Sequence, residues 1–269
     1  MTDRFARSPD GTMLGYEVAG DPALPTLLLL HSLGADRGMW GRCRALLQEQ
    51  YRLILPDTRG HGSSEAATEQ SVTSWTEDLV AILDDADAGR CTVVGVSLGG
   101  IQAIALAAHR PERVRGMVVA DSFVGLDAEV AAAKIASSVE QATTLSMPAV
   151  ADRYLADTFR EPYPPDAEAV RRAIAQMDRD SYIAAVEACF GIDIRDLLGR
   201  VAAPARVVWG DRDQKTPRPL SEEIVAGLAR ADLVVLPDAG HLSNADNPGD
   251  FAAEVHAFCE QLDAAAAKE

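Results

Sequence analysis

The sequence predicts an α/β protein: a mostly parallel central sheet flanked by helices, with a helical block inserted late in the strand order. Three observations carry this. Short apolar runs bounded by turn residues recur at 26–31, 51–57, 91–96, 115–120, 205–210 and 232–236, the form taken by strands buried on both faces. Helix-like segments stand between them, and strand–helix alternation implies right-handed crossover units. The rhythm stops from about 123 to 200, an Ala-rich stretch with no convincing strand, and then resumes. The expected organisation is a core made by residues 1–122 and 201–269, with residues 123–200 forming a helical lid.

Taken in order, residues 11–19 alternate enough to form a strand, and Asp10-Gly11 before them is a hairpin signal. Pro22 and Pro25 bracket a turn ahead of Thr26-Leu27-Leu28-Leu29-Leu30-His31, a central strand. A helix is expected over about 39–50, then a strand at 51–57 that opens into Thr58-Arg59-Gly60-His61-Gly62-Ser63-Ser64. Val72, Trp75, Leu79, Ile82 and Leu83 fall at helical spacing within 71–86. The strand at 91–96 leads into an Ala- and Leu-rich helix at 101–109, and Pro111 precedes the strand at 115–120. In the inserted block, breaks are expected at Met147-Pro148 and at Glu161-Pro162-Tyr163-Pro164-Pro165. Helices at about 219–229 and 249–262 flank the last strand, and residues 263–269 are expected to fray.

The chain's 269 residues are ample for one large core. Lys and Arg total 25 against 41 Asp and Glu, a net charge of −16, which argues against nucleic acid and against anionic membranes as partners. No apolar run approaches the ~20 residues needed to span a bilayer. Met1-Thr2-Asp3-Arg4 carries no apolar signal segment, so a cytoplasmic location is expected. Cys43, Cys91, Cys189 and Cys259 are scattered, with no C-x-x-C pair and no metal-ligand spacing, and are expected to be reduced, buried thiols. With no ligand cluster and no phosphate-cradling loop, neither a metal nor a cofactor is expected.

The chemistry centres on Gly95-Val96-Ser97-Leu98-Gly99-Gly100, which lies between a strand and a helix. That context makes Gly-x-Ser-x-Gly a nucleophile elbow, with the serine at the C-terminal edge of the sheet and the positive end of a helix. Gly95, Gly99 and Gly100 remove the Cβ atoms that a sharp turn could not accommodate. A serine hydroxyl needs a base, and the base needs an orienting acid. His241 follows the last strand at the same sheet edge and is the preferred base, with His31 and His61 as competitors; His109 and His256 fall on helices. Asp213, after the strand at 205–210, is the preferred acid, with Asp121, Asp211 and Asp238 as competitors. The order Ser…Asp…His suits this architecture. Backbone N–H groups of Leu98 and of Leu33, in the loop after the strand at 26–31, are the expected oxyanion donors. Phe123, Leu126, Leu145, Met147, Tyr154 and Phe159 of the inserted block suit a mostly apolar pocket.

Together the elbow, His31-Ser32-Leu33-Gly34, Asp57-Thr58-Arg59-Gly60-His61-Gly62-Ser63-Ser64, Gly210-Asp211-Arg212-Asp213 and Gly240-His241 resemble the α/β-hydrolase superfamily over nearly the whole chain. Ser32-Leu33-Gly34 with Met39-Trp40, Asp193-Ile194-Arg195-Asp196-Leu197 and His241-Leu242-Ser243-Asn244 are similar to one branch, the 3-oxoadipate enol-lactonases. The resemblance implies hydrolysis of a small ester or lactone by Ser97, Asp213 and His241 without a cofactor, and it adds Ser32 and Trp40 to Phe123, Leu145 and Met147 as pocket residues. That branch acts on an anionic enol-lactone and usually carries a W-x-x-R pattern early in the lid. Here the stretch reads Glu129-Val130-Ala131-Ala132-Ala133-Lys134, so Lys134, Arg153 and Arg195 are the cations to examine. The same triad would serve a general carboxylesterase or a carbon–carbon bond hydrolase. A slow-turnover ligand receptor on this fold is the non-enzymatic alternative. Dehalogenases and epoxide hydrolases are disfavoured, since they need a carboxylate where Ser97 stands.

Overall fold

The computed structural model describes residues 3–267. Met1, Thr2, Lys268 and Glu269, the ends of the two expected core segments, lie outside them. An eight-stranded sheet forms the frame, in the order β1 (Arg4–Arg7), β2 (Met13–Ala19), β4 (Arg52–Pro56), β3 (Thr26–Leu30), β5 (Cys91–Val96), β6 (Val114–Ala120), β7 (Ala205–Gly210), β8 (Ala231–Leu236). β1 pairs with β2 and β2 with β4 antiparallel; every later pairing is parallel. This is the α/β class that the apolar runs imply.

The central parallel strands are rich in Val, Leu and Ile because both of their faces are covered. All six residues of β5 are buried. Helices α2 (Val72–Asp85) and α3 (Leu98–His109) pack on each other and against β1, β2, β3, β5 and β6. A second pair, α1 (Gly41–Leu47) and α11 (Pro248–Ala266), pack together, and α11 lies on β6. Between β6 and β7 the chain forms α4 (Ala128–Thr144), α5 (Met147–Thr158), α6 (Ala167–Gln176), α7 (Arg179–Phe190) and α8 (Arg195–Leu198). An isolated bridge between Gly125 and Asp193, with Ile194 N–H donating to the Val124 carbonyl at 2.7 Å, ties the two ends of this insertion together. Helices α9 (Arg218–Gly227) and α10 (Ser243–Asp246) complete the set among the described residues.

Several details differ from expectation. β1 was not anticipated: it has four residues, only Ala6 is buried, and so no apolar run marks it. Asp10-Gly11 does mark the turn that joins it to β2. The helix expected at 39–50 is a 3₁₀ turn (Arg37–Trp40) followed by the short α1. The break expected at Met147-Pro148 falls just before it, because Ser146 caps α5 and Pro148 sits in the first turn, where no N–H is needed. An unanticipated break separates α6 from α7, where Asp178 caps the new helix by accepting the Ser181 N–H at 2.9 Å. α11 does not end at 262 but continues to Ala266, and the Asp263 carboxylate accepts a hydrogen bond from Arg115.

Two buried histidines hold the loop that follows β3. The Thr58 N–H donates to His31 Nε2 at 2.9 Å, so His31 carries its proton on Nδ1, which donates to the Ser32 carbonyl at 2.8 Å. Likewise the Gly34 N–H donates to His61 Nε2 at 3.1 Å, and His61 Nδ1–H donates to the Arg59 carbonyl at 3.0 Å. Leu33 therefore lies between two residues fixed by buried imidazoles. Burial, with the His31 ring 5.1 Å away, lowers the His61 pKa from 6.5 to about 3. The unfolded chain takes up this proton near pH 6.5 and the folded chain only near pH 3, so the stabilisation is complete above 6.5 and lost as pH falls through that window. His61→Asn, whose amide can take over the Nδ1 hydrogen bond and does not titrate, should weaken the acid sensitivity of urea unfolding between pH 6.5 and 4.5 by up to about 1.4 kcal/mol per pH unit. Identical pH slopes for the two proteins would refute this.

Candidate active site

Ser97 joins β5 to α3 with φ 56° and ψ −115°, a backbone conformation uncommon for a residue with a side chain. The turn is held from below: Ser97 N–H donates to the Ala120 carbonyl at 2.9 Å, and Ser122 Oγ donates to the Ser97 carbonyl at 2.7 Å. A Cβ on Gly95 would collide with the Gly99 carbonyl, and one on Gly99 with the Leu30 carbonyl. The elbow is thus pressed against its own helix and against the end of β3. Leu98 is the first residue of α3, and first-turn N–H groups have no partner within a helix. Leu33 lies in the loop after β3.

His241, in the loop after β8, brings Nε2 to 3.1 Å from Ser97 Oγ. Its Nδ1 is 3.1 Å from Asp213 Oδ2, in the loop after β7. Asp213 also accepts the N–H groups of Lys215 (2.8 Å) and Thr216 (3.1 Å) and the Thr216 hydroxyl. Burial by itself would raise the Asp213 pKa, but the His241 charge and the hydrogen bonds from His241 and Thr216 outweigh it and hold the carboxyl below its ordinary value. The three side chains form one hydrogen-bonded chain, acid to imidazole to hydroxyl, drawn from three strand ends.

The competitors are engaged elsewhere. His31 and His61 support the β3 loop, with both ring nitrogens of each already used. Asp121 is fully buried and accepts the Gly210 N–H at 2.8 Å and the Ser243 N–H at 3.3 Å, which ties the β7 loop to the segment after His241. Burial, and then the charge of Asp213, push its pKa well up. Asp211 accepts the Ala239 N–H, and Asp238 pairs with Arg212.

A cavity of about 350 Å³ opens at Ser97 and His241. Of the pocket residues anticipated, Ser32, Phe123, Leu126 and Tyr154 line it, as does Leu33, the expected oxyanion donor, whereas Phe159 does not. Trp40 does not: it is fully buried in the core, with its ring 6.0 Å from that of Phe251. Leu145 is displaced to the turn between α4 and α5, where its carbonyl accepts from Arg179. Met147 opens α5 and packs into the core. The cavity wall comes instead from α4, α5 and α7, with Phe123 and Phe190 stacked at 6.3 Å. Of the cations to examine, Arg153 is exposed and Arg195 is paired with Asp193 and Glu223. Lys134 lines the cavity, and so does Lys215, which sequence reasoning passed over.

The Alpha/beta hydrolase family profile matches residues 27–254. A relative, 3-oxoadipate enol-lactonase 2 of Acinetobacter baylyi, is 30% identical over 251 residues, covering 93% of this chain and 94% of its own length. Among solved structures, a hydrolase from Pseudomonas aeruginosa is 30% identical with a TM-score of 0.88, covering 96% of this chain and 98% of that one. The enol-lactonase from Burkholderia xenovorans is 28% identical with a TM-score of 0.87, covering 96% of this chain and all of that one. The eight-stranded, mostly parallel sheet and these matches carry one conclusion: the chain belongs to the α/β-hydrolase family and is an ester or lactone hydrolase.

Proposed function

We propose that the protein is a serine hydrolase that opens a small ester or lactone through an acyl-enzyme, in the manner of a 3-oxoadipate enol-lactonase. The observation that carries this is the chain Asp213–His241–Ser97, with 3.1 Å between donor and acceptor at each step. In this reading, His241 Nε2 takes the Ser97 proton as Oγ attacks the substrate carbonyl. Asp213 holds the imidazole in the Nδ1–H tautomer and stabilises the cation that forms. The developing oxyanion accepts from the Leu33 and Leu98 N–H groups, each such donor contributing about 2.7–4 kcal/mol to the transition state. Collapse breaks the ester bond, and His241 returns its proton to the leaving oxygen. In a lactone the leaving oxygen, now protonated, is tethered to the acyl group, so it stays in the site until water, activated by the neutral His241, releases the acid. Residues 123–200 act as the lid over a core of 1–122 and 201–269, because α4, α5 and α7 wall the cavity. A general carboxylesterase is the second reading; Phe123, Leu126 and Phe190 give the cavity an apolar side, and W-x-x-R is missing at 129–134.

Steady-state hydrolysis of 3-oxoadipate enol-lactone and p-nitrophenyl acetate separates these. Fast lactone opening with weak ester turnover supports the enol-lactonase reading, whereas ester turnover alone leaves an esterase. Ser97→Ala should lower kcat on the better substrate by about 10⁴-fold or more, with the protein still folded. If activity survives that change, the serine mechanism is wrong. Asp213→Asn should leave substrate binding largely intact but reduce kcat by about 10⁴-fold, because the amide favours the wrong imidazole tautomer. A loss under tenfold would remove Asp213 from the orienting role.

A further inference from the structure

The chain is sparing with lysine. Of its 25 basic residues only Lys134, Lys215 and Lys268 are lysines; the rest are arginines. Lys268 lies outside the described residues. The other two, 81 residues apart in sequence, both line the catalytic cavity. Lys134 comes from α4 and Lys215 from the loop that carries Asp213. They are adjacent there, with Lys134 Nζ donating to the Lys215 carbonyl at 3.4 Å. Lys215 Nζ stands 4.4 Å from the centre of the Tyr154 ring, and Lys134 Nζ 5.5 Å from that of Phe190.

The buried arginines have carboxylate partners: Arg59 pairs with Asp78 and Arg206 with Asp232 and Glu254. Neither cavity lysine forms an ion pair among the described residues, and no Asp or Glu lines the cavity. The nearby carboxylate, Asp213, is already committed to His241 and Thr216, and Asp157 acts on Lys215 only from beyond ion-pair distance. Burial, and the repulsion from Lys134, depress the Lys215 ammonium despite Asp157 and Asp213. Two like charges held together in a partly desolvated cavity cost free energy that an anion between them would recover. The aromatic faces hold the ammonium groups in place without neutralising them.

We infer that Lys134 and Lys215 form an anion subsite that selects esters or lactones bearing a carboxylate of their own. This rests on the hydrolase reading above and assigns its substrate class to residues of this chain. Lys215 sits two residues from Asp213, so the acid that orients the base and the cation that orients the substrate are delivered by one loop. An ammonium suits this place better than a guanidinium: it is a compact charge whose slender stem fits alongside Tyr154.

The test compares two esters of similar length, mono-p-nitrophenyl adipate (anionic) and p-nitrophenyl hexanoate (neutral). In Lys134→Met and in Lys215→Met, the adipate-to-hexanoate ratio of kcat/KM should fall about tenfold or more, and further in the double variant. Methionine keeps the aliphatic stem, and Lys215→Arg, which keeps the charge on a bulkier head, should retain part of the preference. An unchanged ratio in the double variant overturns the inference. Adipate binding to Ser97→Ala, followed by calorimetry, does not depend on turnover, and Lys215→Met in that background should weaken it about tenfold or more. If neither ester is cleaved but adipate binding still depends on Lys215, the hydrolysis reading fails and the anion subsite stands. Equal adipate affinity with and without the two lysines sinks the subsite alone.

Discussion

The site depends first on how tightly the chain turns at Ser97. A residue with a side chain holds φ 56° there only because its surroundings leave the backbone no alternative. Gly95 and Gly99 let the helix start touch both its own strand and the end of β3, and a Cβ at either would meet a carbonyl. That contact sets the distance between the elbow and the loop that carries Leu33. The same loop is gripped from behind by His31 and His61, which bond to its neighbours on either side. Ser97 and the Leu33 loop are thereby built as one rigid unit, before any substrate is considered.

Around that unit, two buried carboxylates have opposite fates. Burial raises the pKa of both Asp121 and Asp213. Asp213 gains the His241 charge and three further donors, and stays ionised. Asp121 has two backbone N–H groups and the repulsion of Asp213, and its pKa rises. One carboxylate therefore works as a charge, and the other as a clamp between the β7 and β8 loops. The division keeps the charged acid against His241, where the proposed mechanism forms an imidazolium.

Much of this was legible in the sequence because parallel strands are buried on both faces and read as unbroken apolar runs. β3 and β5 carry that signal most plainly, and the residues just after the strands are those that converge at the sheet edge. β1 was silent because Arg4-Phe5-Ala6-Arg7 is a short edge strand with one buried residue. The helix break before Met147 was marked by Pro148, whereas that at Met177–Asp178 rests on an aspartate cap alone, a weak signal in a polar, Ala-rich stretch. Trp40, Leu145 and Met147 show a different limit: an apolar side chain suits a core and a cavity wall equally, and only packing decides. Lys215 was missed because a lysine in a loop usually points to water, yet the scarcity of lysine in the chain was there to be counted.

The insertion and the strand order also shape how this site comes into being. Ser97 and His241 are 144 residues apart, and the last parallel pairing, β7 with β8, is what delivers the histidine. Parallel pairings join segments distant in sequence and form slowly, since the chain entropy must be lost before the contacts stabilise. β8 is an edge strand with only one of its six residues fully buried, so it belongs to the less protected end of the sheet. On the proposed mechanism, a chain whose elbow, Leu33 loop and inserted helices are fully folded still lacks its base while β8 is undocked. Turnover therefore serves as a sensor of the final closure of the sheet, and its loss on warming should precede the loss of helix signal.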